Sequence, residues 1–256
     1  MLSWDSFVER RFRLGSEEST QMLTQQKRRR GILIPLSILI GYMLARLAIY
    51  LSLPAISRAE WFYRDCLMTV PRALGLVAAF IFTDTSDRHS PKTTTYVYAS
   101  LLLLSTFVVV IAADWAPWPA HMVLIGLLTS LVVGFFEEYL FRGALLSGLA
   151  KSMSTRKAIM ASSGVFAISH ITAQPLEGLP TLFAIGIVFG NLRTHGLAIP
   201  ALACLHAAID WTYFFFDESS LTLEFTMYSV LALIISLGNA HIGREAEAAT
   251  AERNGN

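Results

Sequence analysis

Leu131-Val-Val-Gly-Phe-Phe-Glu137-Glu138-Tyr-Leu-Phe-Arg142-Gly-Ala-Leu-Leu is the stretch whose reading decides the fold. It places two adjacent carboxylates inside a long apolar run, with a guanidinium one helical turn later. Charge is expensive in a bilayer, so ionisable groups there line a cavity, pair with one another, or do chemistry. Glu138 and Arg142 are four residues apart, share a helical face and can pair. Glu137 is turned about 100° from its neighbour by the 3.6-residue period and is free to face other helices.

The rest of the chain supports a membrane reading. Of 256 residues, 54% are hydrophobic and 15% charged, where soluble domains carry about a quarter. Apolar runs near the ~20 residues needed to cross a bilayer recur along it. We expect an all-α polytopic membrane bundle of about eight transmembrane helices. The spans fall near Gly31–Leu53, Leu67–Thr83, Tyr96–Ala113, Ala120–Leu149, Ala158–Thr172, Leu179–Leu192, Leu197–Phe216 and Leu223–Asn239. With the N-terminus in the cytoplasm, fifteen of the 20 Lys+Arg fall on the cytoplasmic side and only Arg58 and Arg64 outside. That asymmetry is the positive-inside pattern, with both termini cytoplasmic.

Three regions follow. Residues 1–30 form a basic N-terminal segment, either an interfacial helix with Trp4, Phe7, Val8, Phe12 and Leu14 on one face, or a partly ordered tail. Residues 31–242 form the membrane domain, with its motif core at 130–211. The polar stretch 243–256 is expected to be a disordered cytoplasmic tail. The net charge of +1 comes without a basic face interleaved with aromatics, so no nucleic-acid partner is implied. Cys66 and Cys204 do not make a disulfide framework. Trp115 and Trp118 suit the membrane interface. Arg46 and Arg72 fall within spans and receive no role beyond snorkelling or pairing. Gly186 and Gly190, four apart, suit close packing of two helices better than a substrate-lining face.

Two later spans carry His170, then His206 with Asp210. Counted from the cytoplasmic span ends at ~1.5 Å per residue, Glu137, His170, His206 and Asp210 lie roughly 14–20 Å deep. Asp210, four residues beyond His206, is placed to hold that ring. Three chemistries fit an acid with two imidazoles. Glu137 can act as general base on water while the imidazoles polarise a carbonyl. Glu137, His170 and His206 can instead hold zinc. The groups can also form a proton or cation path. A serine nucleophile is disfavoured: Ser169 adjoins His170 but points to another side of the helix, and no G-x-S-x-G occurs.

These motifs resemble a known family. Glu137-Glu138-Tyr-Leu-Phe-Arg142 is similar to the E-E-x-x-x-R motif of the CAAX-protease and bacteriocin-processing (CPBP, formerly Abi) intramembrane proteases. Phe166-Ala-Ile-Ser-His170 resembles their F-x-x-x-H, and His206-Ala-Ala-Ile-Asp210 their H-x-x-x-N/D. The resemblance implies an intramembrane endopeptidase in which Glu137 activates water and His170 and His206 position it and stabilise the tetrahedral intermediate. Asp210 takes the oxyanion side, and Glu138 with Arg142 supports the site. It implies a membrane-associated peptide or protein substrate, with lipidated CAAX peptides as one class, and a bacterial inner membrane. No cofactor is required on this reading, and zinc is the open alternative. Many proteolytic members carry Asn where this chain has Asp210, and an ionised Asp cannot donate to an oxyanion. The competing expectation is a catalytically silent bacteriocin-immunity or binding membrane protein of the same fold.

Overall fold

In the computed structural model the described residues are 4–53, 57–82, 93–112, 118–172, 176–213, 226–227, 229–231 and 233–235, and they contain helices and no strand. The expected eighth span lies largely outside them, and the tail 243–256 wholly so. Helix α1 (Trp4–Ser52) runs unbroken through the expected boundary at residue 30. The interfacial face expected on Trp4, Phe7, Val8, Phe12 and Leu14 lies outside the described side chains.

Helices α2 (Arg58–Leu67) and α3 (Thr69–Phe82) follow. Ser57 caps α2, accepting a bond from the Glu60 amide, while Glu60 accepts one from the Ser57 amide. Met68 interrupts the pair, because Pro71 has no N–H to offer the Leu67 carbonyl. The apolar span here is Phe62–Phe82, starting earlier than expected and taking in Arg64 and Asp65. After α4 (Thr93–Ala112) comes the long helix that carries the carboxylates. It begins as α5 (Ala120–Glu137), widens to a π-helical segment over Glu138–Leu145, and closes as α6 (Leu146–Ala150).

Then come α7 (Thr155–Ile168), α8 (Leu179–Thr194) and α9 (Ile199–Tyr213). Gly196, at φ 102°, ends α8: the Leu197 amide donates to the Leu192 carbonyl, the closing bond of a Schellman turn. That turn starts α9 on the return path.

By length and composition, three helices can cross a membrane among the described residues: Arg29–Ser52, Phe62–Phe82 and Ala120–Ala150. Their outward faces carry large apolar side chains such as Leu44, Leu51, Leu74, Phe80, Leu124 and Leu128, all exposed. A soluble protein would hide such a surface; a bilayer solvates it.

Small residues set the helix crossings. A Cβ on Gly134 would strike the Ala203 carbonyl oxygen, so α5 and α9 touch backbone to backbone. Gly148 meets Gly31 in the same way where α6 crosses α1. Gly186 faces Ser163 and Gly190 faces Ile159, so both glycines serve the α7–α8 contact, as packing rather than substrate lining. These crossings bring the π-helical segment, the end of α7 and the middle of α9 together.

Candidate active site

Glu137 is the last α-helical residue of α5, and Glu138 opens the π-helical turn. Such wide turns inside α-helices recur at functional sites. Arg142 Nη1 donates to Glu138 Oε1 at 2.9 Å, the i,i+4 pair read from the sequence. Both side chains are essentially sealed from solvent (1% and 0% exposed). The guanidinium also lies 4.4 Å from the centroid of the Phe166 ring and 5.3 Å from that of Phe189. Aromatic faces solvate a cation where water is absent.

Glu138 has a second partner. His206 Nδ1 stands 2.7 Å from the same Oε1. A carboxylate only accepts, so this ring nitrogen donates. Glu138 is therefore more than the partner of Arg142: it fixes the His206 ring. Asp210, expected to hold that ring, is further away, with Oδ1 3.6 Å from Nε2. Phe189 stacks on the imidazole at 5.3 Å and 19° between planes, and Phe166 meets it edge-on at 6.0 Å.

His170 follows the end of α7, where the chain turns. Its Nδ1 is 2.9 Å from the Phe166 carbonyl oxygen, so here too Nδ1 donates. Ser169 Oγ, expected on another side of the helix, lies 3.2 Å from that nitrogen. The helix ends at Ile168, and the tighter turn after it draws neighbouring side chains together. Ser169 still lacks a base: its hydroxyl donates to the Phe166 carbonyl at 2.7 Å, and the nearest imidazole nitrogen is itself a donor.

With both Nδ1 atoms committed, the two Nε2 atoms face one point. Glu137 Oε2 lies 3.7 Å from His170 Nε2 and 3.6 Å from His206 Nε2. Glu137 is 4% exposed, and its Oε2 has no hydrogen-bond partner. The structure thus brings all six sequence-selected residues together: Glu137, Glu138, Arg142, His170, His206 and Asp210. Among the described residues, no group of three or more His, Cys, Asp or Glu is arranged to hold a metal ion.

Sequence reasoning missed the aromatic wall of Phe141, Phe166 and Phe189 as a unit, although Phe141 and Phe166 stand in quoted motifs. It allowed Arg72 a pairing role but named no partner for it, and the structure supplies a buried cluster. There Arg72 forms a two-pronged pair with Asp65 at 3.2 and 3.3 Å and donates to the Tyr42 hydroxyl at 3.2 Å. Arg72 and Asp65 are seven residues apart, two helical turns, and that spacing was the available signal.

Residues 117–212 match the model of a family described as Rce1-like, type II CAAX prenyl endopeptidase Rce1-like. The matched stretch contains all six site residues. The match supports a relation to the CPBP/CAAX proteases over this stretch, and the apolar helices accord with an integral membrane protein. No curated protein matches the chain.

Proposed function

We propose that this protein is an intramembrane endopeptidase that hydrolyses a peptide bond with a water activated by Glu137. The carrying observation is the convergence of Glu137 Oε2 with the two imidazole Nε2 atoms, at 3.6 and 3.7 Å. Those gaps are too long for direct hydrogen bonds and suit a shared water. Glu137 takes a proton from that water as its oxygen bonds to the substrate carbonyl carbon. His170 and His206 orient the water and the tetrahedral intermediate. As the C–N bond breaks, the proton passes from Glu137 to the leaving amine. Asp210, at the edge of the site, acts as a neutral donor on the oxyanion side. Glu138 and Arg142 hold His206 in place.

The substrate we infer is a membrane-associated peptide or protein, with a prenylated CAAX peptide as the first candidate from the family description. We infer eight spans with both termini in the cytoplasm, an orientation the Lys+Arg asymmetry supports, and, from the family resemblance, cleavage near the cytoplasmic side of a bacterial inner membrane. No metal is assigned. If one takes part, Glu137, His170 and His206 are its ligands.

The test is mass spectrometry of a farnesylated CAAX peptide incubated with the protein in lipid nanodiscs, with and without chelator. Defined cleavage indifferent to chelator supports the proposal. Chelator-sensitive cleavage replaces the water-only mechanism with a metal-assisted one. An intact peptide beside folded protein favours the silent immunity or binding reading.

A further inference from the structure

Among the described residues, Arg46 is a buried cation with no bonded carboxylate. Arg46 lies in the span of α1 and is only 4% exposed. Its Nε has no hydrogen-bond partner, and no carboxylate forms an ion pair with it among the described residues. It shares a helix face with Tyr42 and Tyr50, one turn to either side. Its guanidinium lies 5.4 Å from the centroid of the Tyr50 ring. Arg64 of α2 stacks on the same ring at 3.8 Å, and its Nε is also buried without a partner. Arg72 completes the group but is already neutralised by Asp65. Among the described residues, these three guanidinium groups therefore have one bonded carboxylate, Asp65.

The cluster adjoins the reacting groups. The Tyr42 ring packs on Phe136, the residue before Glu137, with centroids 5.0 Å apart. All three arginines lie outside the 117–212 family core. A buried cation without a paired anion is strongly unfavourable. An anion brought by a substrate would offset that cost.

We propose that Arg46, assisted by Arg64, forms a subsite that binds a carboxylate of the peptide substrate next to the scissile bond. This rests on the endopeptidase reading. In a peptide the carboxylate comes from the free C-terminus or from an Asp or Glu side chain. Arg46 is then a specificity residue: it selects substrates by charge at one end and leaves proton transfer to Glu137.

The experiment measures binding of three farnesylated, N-terminally fluorescent peptides to Glu137→Gln protein in nanodiscs, by anisotropy against empty nanodiscs. One ends in Cys-Ala-Ala-Leu as the free acid, one is its C-terminal amide, and one is an amide ending in Glu. The free acid is expected to bind at least tenfold tighter than the plain amide. Tight binding of the Glu-terminated amide as well identifies any nearby carboxylate as the ligand; weak binding identifies the C-terminus. Arg46→Gln removes the acid preference and leaves amide binding unchanged, and Arg46→Lys restores part of it. Equal binding of acid and amide by protein with Arg46 intact overturns the proposal and needs no Arg46 variant to fold. Loss of both peptides equally in a folded Arg46→Gln variant overturns it too. The two readings fail separately. Acid-selective binding without hydrolysis by wild type removes the peptidase, whereas hydrolysis of acid and amide at equal kcat/KM removes the subsite.

Discussion

Glu138 Oε1 lies 2.7 Å from Nδ1 of His206 and so joins the π-helical turn to α9 across 68 residues of sequence. The same oxygen takes the Arg142 bond at 2.9 Å. One carboxylate thereby neutralises a buried guanidinium and fixes the orientation of an imidazole.

Removing that carboxylate leaves Arg142 uncompensated. Glu138→Gln is expected to cost about 3–5 kcal/mol of stability, the usual loss when one member of a buried pair is deleted. Thermal unfolding in lipid or detergent reads it. Glu138→Gln/Arg142→Met removes both charges and is expected to regain part of the loss. A single variant as stable as wild type contradicts the pairing.

Asp210 is a quarter exposed and 3.6 Å from His206 Nε2, so the ring does not depend on it. Asp210→Asn supplies an amide donor in the same volume. It is expected to keep the fold and to hold the hydrolysis rate within about tenfold, a change of ~1.4 kcal/mol in barrier. A folded variant that has lost all activity contradicts the neutral-donor role.

Gly134 carries the α5–α9 crossing that sets the distance from Glu137 to His206. A methyl group there meets the backbone of Ala203 and Ala207, which cannot rotate away. Gly134→Ala is expected to destabilise by ~1–3 kcal/mol and to lower activity. Gly164→Ala in α7 meets nothing within 4 Å and serves as control, neutral or slightly stabilising. Paired unfolding and cleavage assays decide this, and equal behaviour of the two variants contradicts the account.

What could be read in the sequence was local. The Glu138–Arg142 pair follows from i,i+4 geometry on one helix. The Ala120–Ala150 span follows from hydropathy, and the shared depth of Glu137, His170, His206 and Asp210 from helix rise. What could not be read depended on helix ends and crossings. The same i,i+4 rule nominated Asp210 as the His206 partner, because it sees one helix at a time. Glu138 reaches the ring only because Gly134 lets α9 come close. Ser169 was placed away from His170 by helical spacing that stops applying after Ile168. The expected span began at Leu67, two residues after Asp65, so the partner of Arg72 fell outside it; the structure starts the span at Phe62.

Glu137 carries the central claim, and Glu137→Gln changes its charge with little change in shape. The decisive measurement is the single-turnover cleavage rate of a farnesylated CAAX peptide by wild type and Glu137→Gln in nanodiscs, with folding checked by thermal unfolding. The account predicts a folded variant slowed by at least ~10²–10⁴-fold, the contribution expected of a positioned general base. Cleavage by folded Glu137→Gln at the wild-type rate would contradict it.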